Sequence, residues 1–282
     1  MRVLIKNEYI MLGFVRMNMF KPSDFEFVIC AYKESQYLEE CIRSLKNQKI
    51  RTKIILVTST PNGYIESLVK KYQLEYYINT GNSGIAEDWN FGLSKASKRL
   101  VTIAHQDDIY EPDYAMKILE NVNRQRKTLI AFTDYGEIRN GVRVTNNKLL
   151  NTKRIMLFLM KNRCLQNIRF ARRRILSFGS AICCPSVTFV KENLPLTIFT
   201  SGYRSDVDWQ AWEKLSRMKG AFVYCDDILM YHRIHENSAT TAIIADNDRS
   251  KEDYEMFCKF WISPIAKLLA NIYKNSEKSN EI

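Results

Sequence analysis

Five short apolar runs punctuate the first half of the chain, and the segments between them share one pattern. The runs are Phe25 to Ala31, Lys53 to Val57, Leu74 to Ile78, Leu100 to Ala104 and Leu129 to Thr133. Each is too short for a buried helix and long enough for one buried strand. Between them apolar residues recur at helical spacing: Leu38, Cys41, Ile42 and Leu45; Ile65, Leu68, Val69 and Tyr72; a stretch through Trp89 and Leu93; and Tyr114, Ile118, Leu119 and Val122. Ser35 is placed to cap the first helix, and Pro61-Asn62-Gly63 reads as a turn. Strand alternating with helix four times predicts an α/β fold. Its sheet would be doubly wound and mostly parallel, with helices on both faces and the loops on one edge.

In such a sheet, ligands bind beyond the C-terminal ends of the strands. The fourth run ends there in His105, Gln106, Asp107 and Asp108, and a helix is expected to begin near Glu111-Pro112-Asp113. Two adjacent carboxylates repel each other unless a cation neutralises them. Mg²⁺ or Mn²⁺ suits them, above all one carried on a diphosphate. Taken alone, an Asp-Asp pair is equally a solvated turn.

Net charge is unevenly placed. The chain of 282 residues carries +11, and between Ile138 and Lys191 twelve Lys and Arg occur without one Asp or Glu. The remainder is therefore close to neutral. Large apolar residues such as Ile155, Phe158, Ile168 and Phe170 alternate there with Lys153, Arg154, Lys161, Arg163, Arg169 and Arg172-Arg173-Arg174. This mixture suits an anionic membrane surface or a polyanionic acceptor, and it is also what a basic helix packed on its apolar side looks like. The usual nucleic-acid recognition motifs are missing, so no nucleic-acid partner is expected. Seven cysteines without C-x-x-C spacing argue against a disulfide framework and a zinc site, and point to a reducing cytoplasm. No apolar run reaches the length of a membrane span.

Further along, Ala181 to Val190 reads as a strand interrupted by Pro185. Asp206-Val207-Asp208-Trp209 leads into a helix, and Ala221 to Cys225 and Ile228 to Tyr231 read as short strands. The polar tract His232 to Ser238 follows, then a charged linker from about Ala242 and an amphipathic C-terminal helix with Phe257, Phe260, Trp261, Ile265 and Leu268.

Five motifs in this order are similar to those of family 2 GT-A glycosyltransferases: Ala31-Tyr-Lys-Glu34, Asn82 to Asn90, His105-Gln-Asp-Asp-Ile-Tyr-Glu-Pro112, Asp208-Trp-Gln-Ala-Trp212 and Tyr231-His-Arg-Ile-His235-Glu-Asn-Ser238. The resemblance covers roughly residues 24 to 240. It implies a GT-A-like domain over that span, with a nucleotide-sugar half (24–135) and an acceptor half (136–240). An extension (1–23) would precede it and a helical tail (241–282) follow it. Ala31, Tyr32, Glu34, Asp88, His105, Gln106 and Asp107 would contact the donor. Asp107, Asp108 and His235 would hold the metal, and Asp208 would be the general base. Glu34 is equally a first-turn helix carboxylate, and Asp206 competes with Asp208 for the role of base.

The chain departs from the family at four points, one of them Asp88, which stands where an Asn or Ala is more usual. His105 stands where the first Asp of Asp-x-Asp-Asp is usual, Thr58-Ser59-Thr60 replaces the base-reading Asp after the second strand, and Val207 replaces the Glu before the base. The implied activity is inverting transfer of a sugar from a nucleotide donor, expected to be a UDP-sugar, to a glycan or lipid-linked acceptor, possible at the inner face of an anionic membrane. The alternatives are an inactive relative that binds a membrane or a partner, and a sugar nucleotidyltransferase. The latter would need a glycine-rich phosphate loop that Cys30 to Ser35 does not provide.

Overall fold

All five apolar runs become strands of one nine-stranded sheet. The computed structural model describes residues 19–235 and 248–277. Strands β1 (Phe25–Ala31), β2 (Lys53–Thr58), β3 (Glu75–Ile78) and β4 (Leu100–His105) alternate with helices α1 (Leu38–Lys46), α2 (Gly63–Tyr72) and α3 (Ile85–Lys95). They lie in the order β3-β2-β1-β4, all parallel. Phe27 and Ile29 of β1 join one core with Leu38, Ile42, Ile65 and Leu68, whereas Val28 joins another with Ala86 and Leu93. Both faces of β1 are therefore covered, which is why its sequence runs apolar without alternation. Helix α3 lies close on this sheet, because a Cβ at Gly92 would meet Val28 Cγ1 at 2.8 Å.

The second half is mixed. After the short β5 (Ile109–Tyr110) and α4 (Tyr114–Val122) come β6 (Thr128–Arg139), β7 (Val142–Val144), β8 (Val187–Val190) and β9 (Ala221–Ile234). Strand β8 runs antiparallel to β4 and β6, β9 runs parallel to β6, and β5 closes the edge antiparallel to β9. Several boundaries differ from the sequence reading for identifiable reasons. The two runs expected as separate strands at 221–225 and 228–231 form the single β9, whose exposed Asp226 and Asp227 sit at an irregularity in the ladder with β6. Pro185 lies in a 3₁₀ turn (Cys184–Ser186), so β8 begins only at Val187. Helix α4 starts after Asp113 because the Glu111 N–H is still tied to the Leu229 carbonyl of β9, and α1 starts at Leu38 after a turn whose amide bonds end on Ser35.

The basic stretch folds into short helices, α5 (Lys148–Met156), α6 (Arg163–Gln166) and α7 (Arg169–Leu176), ahead of α8 (Val207–Ser216). The C-terminal part forms two helices, α9 (Asp248–Cys258) and α10 (Ser263–Glu277), where one was expected. Both enter the main core: Met256, Phe257 and Ala266 are fully buried in the cluster that holds Trp209 and Trp212. The expected linker from Ala242, the end of the polar tract at Glu236 to Ser238 and the first 18 residues lie outside the described residues. Among the described residues no helix is long and apolar enough to cross a membrane.

Candidate active site

The turn after β4 is fixed from below by the end of β9. Asp108 is fully buried; its Oδ1 accepts the Arg233 backbone N–H at 2.9 Å and lies 3.0 Å from His232 Nδ1. The Arg233 guanidinium donates to the Asp107 carbonyl (2.9 Å) and to Glu40 on α1 (2.6 Å). His105 stacks on Trp89 with ring centroids 5.1 Å apart. Burial lowers the pKa of its imidazole, so it is neutral at physiological pH.

Two buried atoms here have no hydrogen-bond partner: His105 Nε2 and Asp108 Oδ2. A buried polar atom without a protein partner is one that a water or an ion can satisfy. One donor atom from each of His105, Asp107 and Asp108 falls within 4.8 Å of the others. Two carboxylates and a neutral imidazole fit a divalent cation, Mn²⁺ better than Mg²⁺ because of the nitrogen donor. His105 would offer an uncharged donor where the family's first carboxylate is missing.

His235 meets this cluster through Asp107, with Nε2 2.9 Å from Oδ2, and its ring lies beside Tyr37 at 5.0 Å. Burial would raise the pKa of Asp107, but the His235 hydrogen bond and the charge of His232 outweigh it and hold the carboxyl below its ordinary value. His232 was not singled out in the sequence. Burial opposes its charge, yet Asp108, Asp107 and Glu137, its register partner on β6, push its pKa up to about 9. His232 is therefore a fixed cation behind the acidic turn at neutral pH. Its signal was the strand pattern Tyr231-His-Arg-Ile-His235, in which only the last histidine matched a known motif.

The loop after β1 is tied to the same turn. Gln106 clamps it: the Tyr32 N–H donates to Oε1 (3.0 Å) and Nε2 donates to the Tyr32 carbonyl (2.9 Å). Lys33 adopts a left-handed conformation (φ 55°) with its N–H on Thr60 Oγ1. Ala31 is buried, whereas Tyr32 and Glu34 are exposed at the rim. Asp88 accepts from Ser59 Oγ and Asn79 Nδ2, both at 2.7 Å. A carboxylate from α3 thereby stands beside Thr58-Ser59-Thr60, the loop that lacks the usual acid. Gln106 and Asp88 both hold loops in place, a role that spacing could not reveal.

Helix α8 opens with Asp206 and Asp208, and the structure separates them. Asp206 turns to Asp253 of α9: burial and the Asp253 charge push the Asp206 carboxyl well up, whereas burial raises Asp253 to about 6 against the pull of Arg249 and of its hydrogen bond with Asp206. Asp208 is half-buried, with Oδ1 accepting the Trp209 N–H at 2.6 Å. Burial raises it to about 6, against the pull of that N–H, Lys153 and Arg249. Lys153 reaches inward to Tyr135 Oη at 2.9 Å. Buried Cys183 and Cys184 feel the charges of both Asp108 and Asp208, so the acidic turn and the α8 carboxylate border one region. Glu252 of α9 anchors the start of α8, accepting from the N–H groups of Arg204 (2.8 Å), Ser205 (2.9 Å) and Asp206 (3.0 Å) and from Ser205 Oγ (2.7 Å).

A parallel β3-β2-β1-β4 half, an acidic turn after β4 and a mixed second half define the GT-A fold. The chain belongs to glycosyl transferase family 2, whose model matches residues 26–188. It is 26% identical over 141 residues to the minor teichoic acid biosynthesis protein GgaB of Bacillus subtilis (strain 168), a match covering 46% of this chain. The chain spans only 16% of the length of that relative. Among solved structures, S. aureus TarS 1-349 in complex with UDP-GlcNAc superposes with a TM-score of 0.58 at 15% identity, covering 91% of this chain and 73% of that one. The mannosyltransferase PcManGT from Pyrobaculum calidifontis, in complex with GDP-Man and Mn²⁺, gives 0.57 at 12% identity, covering 94% and 79%. The family match ends before Asp208, His232 and His235, so the reading of those residues rests on geometry.

Proposed function

We propose that the protein is a metal-dependent inverting glycosyltransferase that moves a sugar from a nucleotide donor to a hydroxyl of a glycan or lipid-linked acceptor. The observation that carries the reading is the convergence of His105, Asp107 and Asp108, with two orphaned buried donor atoms, in the same region as a carboxylate raised to about 6. Family membership and the likeness to a nucleotide-sugar complex support it.

In this reading the loop after β1, held by Gln106, receives the nucleotide, with Tyr32 and Glu34 at its rim and Asp88 beside the base-side loop. A UDP-sugar is the first donor to test. Asp107, Asp108 and His105 would hold Mn²⁺ or Mg²⁺, with His235 steering Asp107. The ion when bound neutralises charge on the departing diphosphate. Asp208 takes the proton of the acceptor hydroxyl, the oxygen forms its bond to C1, and the C1–O bond to the diphosphate breaks with its electron pair leaving on the phosphate. One displacement of this kind inverts the anomeric centre. His232, fixed and charged behind the turn, offsets the negative charge of Asp107 and Asp108 before the donor arrives. A lipid-linked acceptor would place the enzyme at the inner, anionic face of a membrane.

The test is a panel of nucleotide sugars assayed for nucleoside diphosphate release, with Mn²⁺ and with chelator. Metal-dependent release from one donor, lost in Asp107→Ala, is the expected result. No metal-dependent binding or turnover of any donor would refute the reading.

A further inference from the structure

The basic stretch does not form a single solvated cationic face. Lys153 bonds Tyr135, Arg154 pairs with Asp134 at 2.6 Å, Arg172 is buried with its guanidinium on the Met218 carbonyl, and Arg173 pairs with Glu213. What α7 leaves outside is mixed: exposed Arg169 and Phe170, and Arg174 lying over the rings of Phe178 and Trp261. Trp261 leads directly into α10, where a second apolar row is uncovered. Ile262, Ile265, Leu268 and Ile272 are 69%, 39%, 60% and 57% exposed, and their spacing sets them along one side of the helix. The other side is packed: Ala266 is buried, and Tyr273 lies 5.7 Å from Trp209 and against Gly179. The charged residues of α10 are Lys267, Lys274 and, at its last position, Glu277.

We infer that the outer face of α10, continued by Arg169, Phe170 and Phe178 of the α7 region, docks on an anionic lipid bilayer. An exposed apolar row on a helix that also carries Lys267 and Lys274, and that runs on to Arg169 and Arg174, matches a plane of negative headgroups over an acyl boundary, into which such a helix sinks by about 5–10 Å. Self-association through the same row would bury it without engaging Arg169, Lys267 or Lys274, and is the outcome that a dimer measurement detects. The inner face of the helix touches Trp209, the residue next to Asp208, so docking would bear on the element that carries the proposed base. That last consequence rests on the glycosyltransferase reading, whereas the docking itself does not.

Cosedimentation of the full chain with vesicles tests it, comparing phosphatidylcholine alone with phosphatidylcholine containing phosphatidylglycerol. Binding should require the anionic lipid and fall steeply with salt. The surface variant Leu268→Glu/Ile272→Glu should lose roughly tenfold or more of it, with unchanged thermal stability and unchanged nucleotide-sugar hydrolysis. Lys267→Gln/Lys274→Gln should weaken it by roughly an order of magnitude while keeping the apolar row intact. Equal binding to neutral vesicles, unaltered binding by both variants, or a concentration-dependent dimer that Leu268→Glu/Ile272→Glu dissolves would each overturn the inference. Absent hydrolysis in the wild type alongside normal vesicle binding would count against the catalytic reading alone.

Discussion

Replacing Asp208 with Asn should cost activity and add stability, and the two effects have different pH signatures. The Asn side chain keeps the size of the residue and its acceptor for the Trp209 N–H, but cannot take a proton. A positioned general base contributes ~10²–10⁴-fold, so turnover should fall by that order while donor affinity barely changes. In the folded wild type the Asp208 carboxyl is raised from 3.8 to about 6, chiefly by burial. An acid that ionises later in the folded chain than in the unfolded one destabilises the fold once the unfolded chain has lost its proton. The penalty is absent below about pH 3.8, grows between there and about 6, and is complete above it. Two pH units at about 1.4 kcal/mol each set a ceiling near 3 kcal/mol, and partial exposure brings the expectation to about 1–3 kcal/mol. Chemical denaturation of both proteins at pH 4 and pH 7.5, beside kcat and KM at pH 7.5, reads both effects. The wild-type kcat/KM should also rise with pH through about 6 as Asp208 ionises. A variant with full turnover, or one less stable than wild type at pH 7.5, would refute the argument.

The remaining predictions concern what surrounds this residue. Asp107→Ala should abolish Mn²⁺-dependent stabilisation by nucleoside diphosphate in a thermal-shift assay and leave the unliganded fold intact, because that carboxylate is only one of the groups holding the turn. Glu252→Ala leaves three backbone N–H groups at the start of α8 without their acceptor and should cost about 2–4 kcal/mol, lowering kcat more than it raises KM. Those donors hold Glu252 below its usual 4.5 despite burial, so its contribution should be present above that value and fade as pH falls through the lowered one. Arg154→Ala strands the nearly buried Asp134 carboxylate and should destabilise by about 3–5 kcal/mol, with Asp134→Asn in the same chain restoring much of it. Asp206→Asn, facing Asp253 and not the cleft, should leave turnover close to wild type.

Much of the fold was legible because its first half obeys local rules. Apolar runs buried on both faces became parallel strands, and helical periodicity between them gave α1 to α4. The second half was read less well because tertiary pairing overrides local pattern there. Asp226-Asp227 looks like the end of a strand in the sequence, yet β9 continues through it since β6 supplies a partner on the far side. The acidic turn could be found from its place after a buried strand. The contributions of His232, Arg233, Glu137 and Glu252 could not, since each acts through a partner between 46 and 193 positions away or across the sheet. Lys153 and Arg154 read as solvated cations, and their inward direction depends on Tyr135 and Asp134, two neighbours on β6 that no spacing rule connects to them.

The central claim, that the strand ends bind a nucleotide sugar through a divalent ion, is tested most directly by calorimetric titration of nucleoside diphosphates into the full chain, with Mn²⁺ and after chelation. The account predicts one nucleotide that binds with Mn²⁺, loses most of its affinity on chelation, and behaves in Asp107→Ala as in the chelated wild type. Binding of equal strength with and without the metal, or metal-dependent binding untouched by Asp107→Ala, would contradict it.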